Sequence, residues 1–369
     1  MKIGILTFHR AYNYGAMLQA YALHHVLVQK GHDVEFISYR QSKIENAYKI
    51  WLWTYNKSRG PLYNLKSLLS NILTIPRRIK RRKSFNKFSH KYLPETRKYS
   101  RKDLLSEELN YDAVFFGSDQ IWTTRFLGTF DDIYWGNIHI KDGYKIAYAP
   151  SMELTTLSET EKNYIKQHIN NFDSLSARET YTANLLEYIT GQSVQAVVDP
   201  TLLCKFDDYK SLISSSKHIP SYPYVLVYQV GHFKQVREIA QNVANQLCCE
   251  IIEIGDRIYL HKDSTYKDTY GPEDFVALIA NATFVISCSF HGTVFSVNFH
   301  KPFYSVLIPG LDLRAKSFLT QINLLECGIR NADEIDINSV MTINYNEVDI
   351  VLDKLRCSSM AYINQSLNR

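Results

Sequence analysis

The chain has 369 residues, 45% of them hydrophobic and 21% charged, which is the balance of an ordinary globular protein and excludes overall disorder. Its length is comfortable for two domains, and no apolar run approaches the roughly 18 residues of a membrane span. The six cysteines form no Cys-x-x-Cys pair and no zinc spacing, so we expect no metal site. With no evident signal peptide, the sequence predicts a cytoplasmic protein with reduced thiols.

The first elements form a βαβ unit. A strand at 2–7 leads through a loop into a helix from Gly15 to about residue 30, and a second strand follows at 34–39. In the loop, Asn13 and Gly15 would let the backbone come close to a ligand. The loop lacks the three-glycine dinucleotide pattern, so we expect no nicotinamide or flavin cofactor.

A basic segment follows this unit. Residues 44–102 are predicted to form a helical excursion, and the stretch 46–94 carries twelve Lys and Arg but no Asp or Glu. Apolar and aromatic residues beside a cationic run are typical of a protein segment that binds an anionic membrane surface. A helical arm packed on its own domain explains them equally well. Nucleic acid is not expected, because no recognised binding module accompanies the charge.

The strand-helix alternation resumes at residues 112–116, a strand that ends in the loop Gly117–Trp122. An Asp, an amide and a Trp at a strand end are typical of a loop that contacts a sugar. Asp119 could accept protons from hydroxyl groups, or it could cap the next helix. Further strands are predicted at 145–149, 172–177 and 194–198.

The second domain contains the most informative stretch. A short apolar run at 282–287 predicts a buried parallel strand, and it passes through Ser289, His291 and Gly292 into a helix. The free N–H groups at such a helix start favour an anion, and ligands usually lie at this edge of an open α/β sheet. His291 could bind that ligand or merely cap the turn.

These patterns predict an α/β protein with two Rossmann-like domains facing a cleft, the glycosyltransferase-B architecture. We expect the first domain at residues 1–200, with the helical basic insertion at about 44–102, and the second at 201–345. A final helix within 346–369 is expected to pack back on the first domain.

Six short motifs, spread over nearly the whole chain, resemble the polysaccharide pyruvyl transferase family. They are Asn13–Gln19, Gly117–Trp122, Tyr148–Ser151, Ser176–Glu179, Asp199–Leu203 and Ser289–Thr293. The resemblance implies transfer of the pyruvyl group of phosphoenolpyruvate to two hydroxyls of a sugar, as a ketal. The acceptor would belong to an exopolysaccharide, a capsule or a lipid-linked precursor, at the inner face of the plasma membrane. No cofactor other than this donor is implied.

The resemblance also assigns roles. His291 and Asp119 are the expected catalytic residues. Arg178 is expected to bind the donor, since Arg forms bidentate hydrogen bonds to carboxylate or phosphate. Arg178 could instead form a surface or interdomain ion pair with no role in binding the donor. The other expected donor contacts are Ser289, Gly292, Thr293 and Arg314. The expected acceptor contacts are Asn13, Gly15, Gln120 and Trp122.

One position departs from the family pattern. Many members carry Arg where this chain has Ser289. Relatives with the Ser-Phe-His-Gly form carry an Arg farther along, which here matches Arg314, with Lys316 as the second candidate for the missing charge.

Two other functions remain open at this stage. A nucleotide-sugar glycosyltransferase would share the architecture but needs a carboxylate for the donor ribose, and only Asp312 is available near the cleft after His291. A glycan-binding relative without catalysis is the third hypothesis, and Ser289 is the feature that favours it.

Overall fold

The computed structural model describes residues 1–125, 127–153, 156–258 and 265–369. The strands in this part of the chain are β1 (Lys2–Leu6), β2 (Asp33–Tyr39), β3 (Glu95–Tyr99), β4 (Glu108–Leu109), β5 (Ala113–Phe116), β6 (His139–Ile140), β7 (Tyr144–Ala147), β8 (Ser174–Ala177), β9 (Gln195–Ala196), β10 (Tyr224–Gln229), β11 (Glu250–Gly255), β12 (Phe284–Ser287), β13 (Phe303–Val306) and β14 (Gly328–Ile329).

The helices alternate with these strands. They are α1 (Tyr14–Gln29), α2 (Ser42–Ala47), α3 (Pro61–Tyr92), α4 (Arg101–Ser106), α5 (Glu159–His168), α6 (Thr180–Thr190), α7 (Pro200–Leu203), α8 (Phe206–Ser215), α9 (Lys234–Leu247), α10 (Pro272–Asn281), α11 (Phe290–Asn298), α12 (Leu313–Gln321), α13 (Ile337–Met341) and α14 (Tyr345–Leu367).

Twelve of these strands form two large parallel sheets, one in each half of the chain, and β4 pairs with β6 in a separate two-stranded sheet. The first has seven strands in the order β3-β2-β1-β5-β7-β8-β9, and the second has five in the order β11-β10-β12-β13-β14. The central strands β5 and β12 are buried along their whole length, as apolar runs covered by helices on both faces should be. The two parallel sheets with their helices are two Rossmann-like domains, as the sequence predicts.

The last helix, α14, contacts the first domain. The Tyr362 hydroxyl donates to the Ala147 carbonyl at the end of β7, at 2.9 Å. Nearer the start of the helix, Arg356 donates to the Leu202 carbonyl at 2.7 Å and to the Asn298 side chain at 2.8 Å. Because Leu202 lies in α7 and Asn298 in α11, Arg356 joins the end of the first domain to the second.

The basic insertion is not purely helical, which corrects the sequence prediction. Residues Glu95–Tyr99 form β3, which pairs with β2 as the edge strand of the first sheet. The two halves of α3, the long helix of the insertion, also differ in burial. Its second half buries Phe85 and Phe88 in the hydrophobic core, whereas much of its first half is exposed. The alternative of an arm packed on the protein therefore applies only to the second half of α3, and that half contacts both domains.

Arg81, in the middle of α3, links the two domains. Its buried guanidinium donates to the carbonyls of Gly255 and Asp268, each at 3.0 Å, and to the Tyr12 carbonyl at 3.3 Å. The first two carbonyls belong to the second domain, and the third belongs to the loop between β1 and α1. One side chain thus satisfies three buried backbone acceptors from both domains.

Replacing Arg81 with Met should destabilise the protein, because buried acceptors lose a charged donor. A hydrogen bond to a charged group is worth about 1.5–3 kcal/mol, so we expect a loss of about 3 kcal/mol in the free energy of unfolding, measured by chemical denaturation. The exposed neighbour Lys83→Met is the control and should change stability by less than about 0.5 kcal/mol. Equal stability of the two variants would mean that Arg81 does not hold the domains together.

Candidate active site

The candidate site lies where several strand ends meet. The loops after β5, β7 and β8 and the start of α7 supply Ser118, Ser151, Arg178 and Asp199 from the first domain. The first turn of α11, which follows β12, supplies His291 from the second. All of these positions follow the carboxyl ends of parallel strands, which is where ligands bind in open α/β sheets.

Asp199 is at the centre of the site. Its Oδ2 accepts from Nη1 of Arg178 at 3.0 Å and lies 3.5 Å from Nε2 of His291. Its Oδ1 accepts from the backbone N–H of Thr201 at 3.0 Å and from the Thr201 hydroxyl at 2.7 Å. Burial by itself raises the pKa of Asp199, but the charges of His291 and Arg178 hold that pKa below its ordinary value. The carboxylate is therefore ionised and shared by both domains.

His291 is held from both sides of the cleft. It lies in the first turn of α11, and Nδ1 of its ring faces the first turn of α1 so closely that a Cβ on Gly15 would come within 2.1 Å of that atom. Only glycine fits this position without displacing the ring. Asn13, two residues earlier, caps α1 by accepting from the Ala16 N–H at 3.3 Å. Of these two predicted first-domain residues, Gly15 lies against the predicted catalytic histidine and Asn13 caps the helix that carries Gly15.

Arg178 lies in a buried network of charges. Besides its bond to Asp199, its Nε donates to Glu179 at 2.8 Å, and its guanidinium carbon lies 4.5 Å from the centre of the Phe290 ring. Burial opposes the charge, but Glu179 and Asp199 raise the pKa of Arg178. The ion-pair alternative raised by the sequence is thus realised within the first domain. Even so, Nη2 of Arg178 has no hydrogen-bond partner among the described residues.

The guanidinium of Arg314, from the second domain, lies near that of Arg178. Arg314 and Arg178 both line a narrow cavity under Phe290. Nε of Arg314 lies 3.3 Å from Oε1 of Glu153, which crosses from the first domain. The Glu153 carboxylate also contacts the side-chain amide of Gln120. Lys316, the other candidate for the missing charge, is exposed on α12.

Two predicted ligand contacts are wrong in this structure. Trp122 has no exposed surface: it stacks on Trp135 with ring centres 4.4 Å apart, and its N–H donates to the Tyr134 carbonyl. Thr293 is also fully buried, and its hydroxyl bonds to the Ser305 hydroxyl at 2.8 Å. Both side chains stabilise the core beneath the loops and do not reach the cleft.

The remaining predicted residues surround the charged centre. Gly292 packs α11 onto β12, because a Cβ there would come within 2.1 Å of the Ser287 hydroxyl. Ser289 is the N-cap of α11 and is mostly buried. Asp119 has a left-handed backbone, with φ of 70°, and its charge contributes to the raised pKa of Arg178. Its side chain is half-buried beside the arginine.

Sequence reasoning missed the carboxylates that organise the site. Asp199 and Glu179 lie inside the motifs quoted above, each just after a predicted strand, but no role was assigned to either. The available signal was their place at strand ends, next to an expected cation. Glu153 follows the Ser151 motif and gave no such signal, because its partner Arg314 comes from the other domain.

The chemistry of this cavity suits an anion better than a metal. Among residues 1–125, 127–153, 156–258 and 265–369, no group of three or more His, Cys, Asp and Glu side chains could hold a metal ion. The unpartnered N–H of Arg178 and the first turn of α11 present donors instead.

Comparison with known proteins agrees with the motifs. A family model described as polysaccharide pyruvyl transferase matches residues 13–308. The chain belongs to the polysaccharide pyruvyl transferase family. A search of curated protein sequences found no match.

Solved structures show that this pyruvyl transferase family member has relatives in fold. The wall teichoic acid polymerase TagF, as its H444N variant, superposes with a TM-score of 0.53 at 10% identity, covering 100% of this chain and 88% of that one. The UDP-GlcNAc 2-epimerase of Neisseria meningitidis gives a TM-score of 0.47 at 10% identity, with coverage of 99% and 100%. At 10% identity, the similarity to TagF supports the glycosyltransferase-B fold alone.

Asp199→Asn should reduce stability in a pH-dependent manner. Removing one partner of a buried ion pair costs about 3–5 kcal/mol at neutral pH. Because the folded pKa of Asp199 is depressed, its carboxylate contributes stability above the unfolded pKa of about 3.9, and this contribution is lost as the pH falls from there toward the folded value. The difference in unfolding free energy between wild type and variant should therefore shrink between about pH 5 and pH 3.

Chemical denaturation at each pH measures this difference, and other carboxylates cancel because both proteins carry them. Asp207→Asn, at an exposed position of α8, serves as the matched control and should show a small difference at every pH. A large difference that stayed constant down to pH 3 would show that the charge of Asp199 is not what stabilises the fold.

Proposed function

We propose that this protein transfers the pyruvyl group of phosphoenolpyruvate to two hydroxyls of a sugar in a cell-surface polysaccharide or its precursor, forming a ketal. Family membership supports a transferase acting on polysaccharide. The observation that supports the donor assignment is the convergence of Arg178 and Arg314 on one cavity, where Nη2 of Arg178 has no hydrogen-bond partner among the described residues. His291 lies 3.5 Å from the Asp199 carboxylate that lines the same cavity.

The donor needs sites for two anionic groups, its carboxylate and its phosphate. Arg314 and Nη2 of Arg178 would bind one of them by charge-assisted hydrogen bonds. The N–H groups in the first turn of α11, with Ser289 and Gly292, would bind the other. On this arrangement Arg314 takes the part of the Arg that other family members carry at position 289.

The reaction needs proton transfer at two places. His291 would give a proton to the methylene carbon of phosphoenolpyruvate, which becomes the methyl group, while a sugar hydroxyl adds to the neighbouring carbon. The phosphate then leaves with its bridging oxygen, and the second hydroxyl closes the ketal. Asp119 would accept the hydroxyl protons, with Asn13, Gly15 and Gln120 beside the acceptor. The scheme needs no cofactor or metal.

The acceptor is proposed to be lipid-linked and to meet the enzyme at the inner face of the plasma membrane. Among the described residues, no helix is long and apolar enough to cross a bilayer. The basic stretch 46–94 would bring the enzyme to that surface by attraction to anionic lipid.

Purified protein incubated with phosphoenolpyruvate and a panel of lipid-linked or nitrophenyl glycosides should release phosphate only when the right acceptor is present. His291→Asn should lower this release by at least about 100-fold in protein that circular dichroism verifies as folded. Thermal-shift titration should show stabilisation by phosphoenolpyruvate but not by uridine or guanosine nucleotides. Consumption of nucleotide sugars with indifference to phosphoenolpyruvate would favour a glycosyltransferase and end this proposal.

Arg314→Gln should raise KM for phosphoenolpyruvate about tenfold or more, because a charged hydrogen bond to the donor is lost. Lys316→Gln, on the exposed side of the same helix, is the matched control and should stay within about twofold of wild type. Steady-state kinetics with varied donor measures both. If the lysine variant carried the larger effect, the missing positive charge would have been assigned to the wrong residue.

A further inference from the structure

The first half of α3 turns its apolar side chains toward solvent. Five of them, 45–65% exposed, lie on one face of the helix at spacings of one, three or four residues, and we call them the apolar stripe: Leu62, Leu65, Leu69, Ile72 and Leu73. Contiguous exposed apolar surface of this kind is uncommon on soluble monomers and marks an interaction site.

The opposite face of the same half is polar and buried. Asn64, Asn71 and Thr74 are nearly inaccessible to solvent. The Asn64 side chain donates to the carbonyls of Asn56 and Arg59, both at 3.0 Å, and so holds the preceding loop against the helix. This is the reverse of a surface helix in a globular protein, whose apolar face turns inward. The outward apolar stripe is therefore built into the local structure.

Aromatic residues of the preceding loop are not part of the stripe, because Asn64 holds that loop on the opposite face of the helix and the Trp53 N–H donates to the Asn64 carbonyl. Trp51, Trp53 and Tyr55 form a row with ring centres 6.4 and 6.5 Å apart. Trp51 is 49% and Tyr55 60% exposed. The aromatic row is therefore separate from the apolar stripe.

The second half of α3 continues the same face with positive charge. Lys80, Lys83 and Lys87 are exposed, and each lies about five helical turns beyond a leucine of the stripe. The whole stretch 46–94 has twelve basic residues and no acidic one. Two copies of such a surface would repel each other, so charge complementarity favours an anionic partner over a second copy of this chain.

We propose that this face of α3 docks on a bilayer rich in anionic lipid, with the apolar stripe in the interface and the three lysines on the head groups. The proposal rests on the proposed function for its purpose, since it would bring the cleft to lipid-linked acceptors. The bond network of Arg81 fixes the same helix to both domains, so a docked helix would hold the cleft in a set orientation to the membrane.

The test is flotation of the full chain with vesicles of phosphatidylglycerol and phosphatidylcholine, against vesicles of phosphatidylcholine alone. We expect binding only to the anionic vesicles, weakened about tenfold or more on going from about 0.05 to 0.5 M salt. The combined variant Leu65→Ser, Leu69→Ser, Leu73→Ser should lose most binding. Ile350→Ser, at a 59% exposed position of α14, is its matched control and should bind as wild type does.

A second triple variant tests the charges. Lys80→Gln, Lys83→Gln, Lys87→Gln should lower binding at least about tenfold at low salt and flatten its salt dependence. The same change at three exposed lysines elsewhere, Lys102, Lys141 and Lys166, should have little effect. Melting temperatures close to that of wild type verify that the variants fold.

Three results would overturn the proposal: no flotation of wild type with anionic vesicles at low salt, unchanged flotation of both triple variants, or a dimer that forms through the stripe and persists with vesicles present. Turnover of phosphoenolpyruvate with a soluble nitrophenyl glycoside separates this proposal from the proposed function. That activity should survive in both triple variants. If wild type lacked it but floated as described, the function would fail and the docking surface would stand.

Discussion

A single buried carboxylate determines how the two domains meet at the cleft. Asp199 binds Arg178 of its own domain and lies beside His291 of the other, so the buried charge of Arg178 has a counter-charge at the interface. Leaving a charge unpaired in such a place costs several kcal/mol, and this cost disfavours any arrangement that separates the three groups. The contact between His291 and Gly15 adds a steric constraint on the same interface.

Much of this arrangement could be predicted from the sequence, because it depends on local patterns. The apolar run of β12 and its passage into α11 identified the strand end that carries His291, and similar passages placed Arg178 and Asp119 at strand ends. Parallel topology then brings these ends to one side of each sheet. What the pattern could not supply was pairing across the cleft, such as that of Arg314 with Glu153.

The errors have a common physical cause. A residue in a loop motif was expected to face the ligand, but Trp122 and Thr293 instead fill the space beneath their loops. Large or well-bonded side chains at strand ends often hold the loop in shape, and a motif does not distinguish this from contact. The edge strand β3 was missed for a different reason, since its residues are mostly polar and show little hydrophobic signal.

The two arginines of the cavity differ in how free they are to bind an anion. Arg178 is 2% exposed and already bonded to two carboxylates, so a ligand can gain only its unpartnered N–H. Arg314 is 16% exposed and faces a single carboxylate, that of Glu153. A Glu153 carboxylate displaced from Arg314 would still have Arg125 and Gln120 as partners, whereas displacing Asp199 from Arg178 would leave a buried charge unpaired. Binding should therefore be governed by Arg314, with Arg178 preserving the shape of the cavity that receives the ligand.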